Sequence, residues 1–391
     1  MNTNLHKFTS KDYNLRLVIF WNINKPMQNR LLSLDVFRGI TVAAMILVNN
    51  PGDWGHVYSP LLHAHWHGCT PTDLIFPTFL FIVGVSITFA LDGREVPILK
   101  LFKRSLILFG LGFFLNLYPK FNFETVRVMG VLQRIGIVFF ICSVIFIKTN
   151  LKTQVYIIFI LLTSYTILLT YIPVPYFGSP NLEPTTNLGA WFDRLVFSEA
   201  HLWKGAGGKF DPEGLFSTIP AIATGLLGVI SGKLLRSSQP VSERIAWLFS
   251  IGNLLVIGGL IFDLFFPINK SLWTSSYVLY AGGWAMVGLA LCYWLIDIKG
   301  YKRFTKPAIV FGTNAITVFF LSGIIPRTLN LFKVATPDGT LISSQKYLQD
   351  TYIASWFSNQ YSASLAGALT FLGIWTLILW FMYDKKIFIK V

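Results

Sequence analysis

Apolar runs of about 18–22 residues recur along the chain, broken by short polar or charged stretches. As helices, runs of that length match the hydrocarbon thickness of a bilayer. They lie at about 33–50, 73–92, 101–118, 129–147, 154–172, 214–235, 244–266, 272–296, 306–326 and 358–383. The pattern predicts an all-α, polytopic helical membrane protein with about ten transmembrane helices. No long polar linker separates the runs, so residues 30–391 read as one transmembrane domain. Residues 1–29 read as an N-terminal cytoplasmic extension. Their apolar patch, Leu15 to Trp21, is too short to span, and no signal-peptide cleavage pattern follows it. Met27 sits just ahead of the first organised segment, so 1–26 reads as an upstream extension or a loose cytoplasmic arm.

Ten spans place both termini on one side. On that side fall 22 of the 32 basic residues, against 10 on the other, and the bias alternates loop after loop. The positive-inside rule makes the termini cytoplasmic. The polar stretch from His56 to Asp73 is then extracytoplasmic. So are the two longest loops, 173–213 and 327–357, rich in Pro, Gly, Asn and aromatic residues and suited to a structured cap. Arg127 and Lys270 count here only as outer-side basic residues.

Composition agrees. Hydrophobic residues make up 53% of the chain and charged residues 13%, about half the usual share for a soluble domain. The net charge of +14 reads as loop lysines and arginines facing lipid head groups, not as a nucleic-acid surface. Cys69, Cys142 and Cys292 have no metal-site or disulfide-framework spacing.

Chemistry concentrates in the outer island. Four of the six histidines, His56, His63, His65 and His67, fall within twelve residues. Imidazole suits proton transfer or acyl transfer near neutral pH. Interfacial polarity alone, a metal held by the His-x-His-x-His spacing, and catalysis by one histidine oriented by Asp73 all fit the island. Asp73 also fits a helix cap. Asn49 and Asn50 close the first span and could stop it or hydrogen-bond a substrate. Gln133-Arg134 lies one turn inside the fourth span, where an arginine is costly and marks a site or an ion pair, for instance with Asp73. Asp211-Pro-Glu213-Gly214 opens the sixth span, with Glu213 a candidate for an amine or hydroxyl. On the cytoplasmic face, Arg38, Lys103, Arg104, Lys233 and Asn314 are candidates for the phosphates of a nucleotide-like donor. No P-loop and no convincing dinucleotide fingerprint is present.

Several of these motifs, in order, resemble the heparan-α-glucosaminide N-acetyltransferase family. They are Arg30-Leu-Leu-Ser-Leu-Asp35-Val-Phe-Arg38-Gly39, Met45-Ile-Leu-Val-Asn49, and His63-Ala-His-Trp66-His-Gly68 through Asp73-Leu-Ile-Phe-Pro77. Gly130-Val-Leu-Gln133-Arg134-Ile-Gly136, Asp211-Pro-Glu213-Gly214 and Asn269-Lys-Ser-Leu-Trp273 follow. The resemblance implies transfer of acetyl from cytoplasmic acetyl-CoA to the amine of a terminal glucosamine across the membrane, without a metal. It implies His63 as the reactive histidine, rather than His65 or His67. Asp73 would orient it and Asn49 or Arg134 would stabilise an oxyanion, with Trp66, Gln133 and Glu213 toward the acceptor. Arg38, Asn314, Lys103, Arg104 and Lys233 would serve CoA. The chain looks like a compact bacterial-type member without the lumenal domain of the animal proteins, which implies a free amino sugar or small glycan as acceptor. A plasma (inner) membrane location and a homodimer are the matching expectations. The alternatives are an O-acetyltransferase of envelope polysaccharide, a sugar or metabolite transporter, and a metal or haem protein.

Overall fold

The computed structural model describes residues 31–336 and 339–389. The expected extension at 1–29 lies outside the described residues. Helices account for the spans in order: α1 (Leu32–Asn49), α2 (Ile75–Leu91), α3 (Ile98–Leu117), α4 (Val131–Lys148) and α5 (Leu151–Tyr171). A shorter helix, α6 (Leu188–Phe197), lies within the first long loop. Then come α7 (Thr218–Leu235), α8 (Val241–Asp263), α9 (Ser275–Cys292), α10 (Lys306–Thr313) and α11 (Ala315–Leu329). A small hairpin, β1 (Lys333–Ala335) and β2 (Leu341–Ser343), pairs antiparallel and leads into α12 (Ser344–Tyr352). The last helix is α13 (Gln360–Asp384).

Eight described helices are long and apolar enough to cross a membrane, nine if α10 and α11 count as one bent span. The remaining expected span is α3, 20 residues long, whose first two turns carry Lys100, Lys103 and Arg104 and so shorten its apolar stretch. The expected single span at 306–326 is corrected to two helices bent by 80°. The break is at Asn314, whose backbone leaves the helical region while its side chain binds the C-terminal tail, donating to Ile387 O (3.1 Å) and accepting from Ile389 N (2.9 Å). Such a break is tolerated at membrane depth where protein covers the freed backbone, and Asn314 is buried. The sixth span begins at Thr218, not 214, because residues 211–217 form a turn gripped from outside the helix.

α7 is the central helix, with 78% of its span buried, whereas α8 and α13 have 17% and 22% buried and turn apolar side chains outward, as lipid-facing helices do. The tightest pairings are α8 with α9, α2 with α7, α1 with α10, and α3 with α4. Glycine permits the α2–α7 approach: a Cβ on Gly84 would lie 1.9 Å from Gly225 O, and one on Gly228 2.0 Å from Phe81 O. Small residues that let backbones meet are the usual means of helix packing in lipid. The two long loops are folded, through α6 in one and the hairpin and α12 in the other.

Candidate active site

The island between α1 and α2 is built around a buried carboxylate. Thr70 and Asp73 form a reciprocal capping box on the short 3-10 turn Pro71–Leu74 that leads into α2. Asp73 Oδ2 accepts from Thr70 N (2.9 Å), Thr70 Oγ1 (3.0 Å) and Ala64 N (3.0 Å). Its other oxygen lies 2.7 Å from His63 Nδ1. The aspartate side chain is 1% exposed, the imidazole 50%. The carboxylate thus fixes which nitrogen faces it and leaves Nε2 out of that bond, on a ring that is half exposed. One side chain thus makes both the capping contact and the contact to His63. Tyr277 at the start of α9 donates to Asp73 O (2.6 Å) and ties this turn to the core.

A second loop closes on the island. Gly68 N donates to Ile268 O (2.7 Å), forming a parallel bridge between Gly68 and Asn269. Asn269 is wholly buried and shapes its own turn, accepting from Leu272 N (2.9 Å) and receiving Thr274 N on its carbonyl (3.1 Å). This turn delivers Lys270, whose Nζ lies 3.2 Å from both ring nitrogens of His63. Equal separation means that the ammonium is aligned with neither nitrogen's lone pair. Burial pushes the Lys270 ammonium below its ordinary value, opposed by the charges of Glu213 and Asp73. Burial, then the Asp73 charge, pushes the nearby Cys69 thiol up to about 12, so it is a thiol at neutral pH.

Behind the island, Arg127 grips the Asp211–Glu213 turn. Its guanidinium binds both Asp211 oxygens, Nε to Oδ2 at 2.8 Å, and also Glu213 Oε2 at 2.5 Å. Burial works against its charge, but the hydrogen bond and charges of the two carboxylates override that and hold it above an ordinary arginine. The same turn is held from α6 by Asp193, which accepts from Leu215 N (3.0 Å) and Phe216 N (3.1 Å). Burial pushes the Asp193 carboxyl up to about 7, against those two backbone bonds.

The sequence candidates divide. His63 and Asp73 come together. Arg134 is fully buried and donates to Gly214 O (3.0 Å) and Ser217 Oγ (2.5 Å) rather than to Asp73. It lies over the Trp273 ring at 4.9 Å, and its Nε and Nη1 have no partner among the described residues. Glu213 is buried on Arg127, and Gln133 donates to Val128 O (2.9 Å), a backbone-holding role. Trp66 donates its indole N–H to Leu182 O (2.8 Å) and meets Phe210 edge-on, fastening the island to the first long loop. Asn49 is exposed at the end of α1. On the far face, Arg38 donates to Ser86 Oγ (2.8 Å) and pairs with Asp35. Arg104 lies over Phe139, Lys233 over Phe146, and Lys103 is exposed. Among the described residues, no three His, Cys, Asp or Glu side chains gather as a metal site would require.

The profile of the heparan-alpha-glucosaminide N-acetyltransferase catalytic family matches residues 30–259. The chain belongs to this family. Among its relatives, the mouse (Mus musculus) heparan-alpha-glucosaminide N-acetyltransferase is 27% identical over 93% of this chain. The human (Homo sapiens) protein of the same name is 28% identical over 95%. The chain spans 61% of the length of either relative. His63, Asp73, Arg127, Arg134 and Glu213 fall inside the matched stretch of this acetyltransferase family, whereas Lys270 and Asn314 lie beyond it.

Sequence reading missed Lys270, Arg127 and Asp193. The first two were counted only as outer-side charge. The available signal for Lys270 was its place between Asn269 and Trp273 in a polar, aromatic turn. Asp193 carried none, since nothing in its sequence neighbourhood points to residues 211–217.

Proposed function

We propose that the chain is a transmembrane N-acetyltransferase of the plasma (inner) membrane. It moves acetyl from cytoplasmic acetyl-CoA to the amine of glucosamine, or of a terminal glucosaminide, on the extracytoplasmic side. The observation that carries this reading is the His63–Asp73 pair, with its carboxylate buried and its imidazole open. Family membership supports the acetyl chemistry, and the basic-residue bias supports the sidedness.

In the transfer, the acceptor nitrogen bonds to the acetyl carbon and the C–S bond of the thioester breaks. The amine proton passes to His63 Nε2 and then to the departing CoA sulfur, giving an amide and a free thiol. Asp73 holds the imidazole in the required tautomer and favours the cation that forms. A two-step route through an acetylated His63 uses the same geometry. Arg134, with two guanidinium nitrogens uncommitted among the described residues, and Asn49 are the proposed donors to the carbonyl oxygen. Arg38, Lys103, Arg104 and Lys233 are the proposed phosphate contacts, with Asn314 supporting that face through the C-terminal tail. Trp66, Gln133 and Glu213 shape the acceptor side, Trp66 by fixing the loop above it.

Mass spectrometry of purified protein given acetyl-CoA and glucosamine tests this. Wild type is expected to form N-acetylglucosamine, and His63→Ala to lose it. Product persisting in His63→Ala overturns the assignment of His63. Acetylation of N-acetylglucosamine in place of glucosamine, which requires a hydroxyl acceptor, overturns the N-transfer reading.

A further inference from the structure

Lys270 has no place in the chemistry described so far, yet it is held with more care than a topological charge needs. The loop that carries it is stapled to the island at Gly68 and locked by Asn269 and Thr274. Trp273, three residues on, is wholly buried and adopts a left-handed backbone (φ 54°). A bulky residue there is strained, and such strain persists only where the surroundings over-determine it. Here they do: the ring packs edge-on against Phe76 and Tyr277, and its indole N–H donates to Thr224 Oγ1 (3.1 Å). The turn so fixed places the Lys270 ammonium 3.2 Å from both nitrogens of His63.

Two charged groups contact the imidazole directly. Asp73, from the turn preceding α2, favours its cation; Lys270, from the turn preceding α9, opposes it. Around Lys270 stand Glu213, Asp73, Arg134 and Cys69, and Tyr277 lies against Asp73. His67 sits on the same loop contact, 3.4 Å from Asn269 Nδ2. A histidine bonded to a buried aspartate alone would be drawn toward imidazolium, which neither accepts a proton nor attacks a carbonyl.

We propose that Lys270 is a positioning residue for His63, its ammonium set against the imidazole so that the ring stays neutral beside Asp73 and ready to take a proton. The inference rests on the proposed role of His63, but it can be tested without turnover. The probe is diethyl pyrocarbonate, which acylates a histidine only while its imidazole is neutral. Modification is read at His63 by peptide fragmentation, with full-length protein in lipid nanodiscs across the range in which histidine titrates. His56 in the same molecules serves as the reference.

Lys270→Met and Lys270→Gln are expected to raise the pH midpoint of His63 modification by about one unit. Lys270→Arg restores the wild-type midpoint, and His56 does not move. The acid limb of the acetyl-transfer profile shifts upward with the His63 midpoint. An unmoved His63 midpoint in both neutral variants, with His56 unchanged, overturns the proposal. If the midpoint shifts as expected but wild type makes no N-acetylglucosamine, the electrostatic role of Lys270 stands and the acetyltransferase reading falls.

Discussion

Among the described residues, two imidazole–carboxylate pairs lie close together in sequence, nearly identical in distance and different in burial and surroundings. His56 Nδ1 lies 2.6 Å from Asp53 Oδ2, and His63 Nδ1 lies 2.7 Å from Asp73 Oδ1. Asp53 is 52% exposed in a local turn, its other oxygen bound to Gly55 N. Asp73 is 1% exposed and takes three further hydrogen bonds. His56 packs edge-on against Tyr361 at the head of α13. His63 has Lys270 beside it. Distance therefore does not separate a surface ion pair from the one proposed to be catalytic. What separates them is a buried carboxylate with no freedom to leave, and a second charged side chain against the ring. Exposed pairs contribute little even when short, because water and salt compete for both partners.

The contrast predicts unequal losses. Asp73→Asn is expected to cost about 100-fold in acetyl transfer, since it removes both the tautomer control and the support for the imidazolium. A loss of less than about threefold, with folding intact, would reduce Asp73 to a helix cap. Arg127→Met leaves Asp211 and Glu213 buried without their cation, and about 3 kcal/mol or more of stability should go with it. Loss of the monodisperse peak on mild heating, well below the wild-type transition, is the readout. Asp193 sharpens the picture through pH. Its carboxyl is held up to about 7 in the folded protein against 3.8 as the reference, so the folded state binds its proton more tightly. Its stabilising contribution is complete below the reference value and is lost as pH rises toward about 7. Between pH 5 and 8 the wild-type melting temperature should therefore fall further than that of Asp193→Asn, which keeps an acceptor for Leu215 and Phe216 but does not titrate. Equal slopes would contradict this. The smallest effect belongs to Asp53→Asn, expected to stay within about twofold of wild-type transfer.

Much of the fold was legible because it is written in long apolar runs that hydropathy reads directly. The helices begin and end within a few residues of expectation at α1, α2 and α4. The bend at Asn314 was not legible, because one amide in an apolar run is indistinguishable from a tolerated polar residue until its tail partners are seen. The start of α7 was displaced for a similar reason: Asp-Pro-Glu-Gly has the composition of a helix beginning, and only Arg127 and Asp193, distant in sequence, show it to be a clamped turn. At the site, His63 and Asp73 lie ten positions apart in one motif and could be paired by eye. Lys270 comes from a loop 207 positions away, so its contact with His63 is purely tertiary.

The most direct measurement runs one assay on two single substitutions. His63→Gln and His56→Gln are purified alongside wild type and given acetyl-CoA and glucosamine, with N-acetylglucosamine quantified over time. The account predicts a fall of about 1,000-fold or more for His63→Gln and wild-type rates for His56→Gln. Comparable losses in both, or retention in His63→Gln, would contradict the claim that burial of its carboxylate makes His63 the reactive histidine.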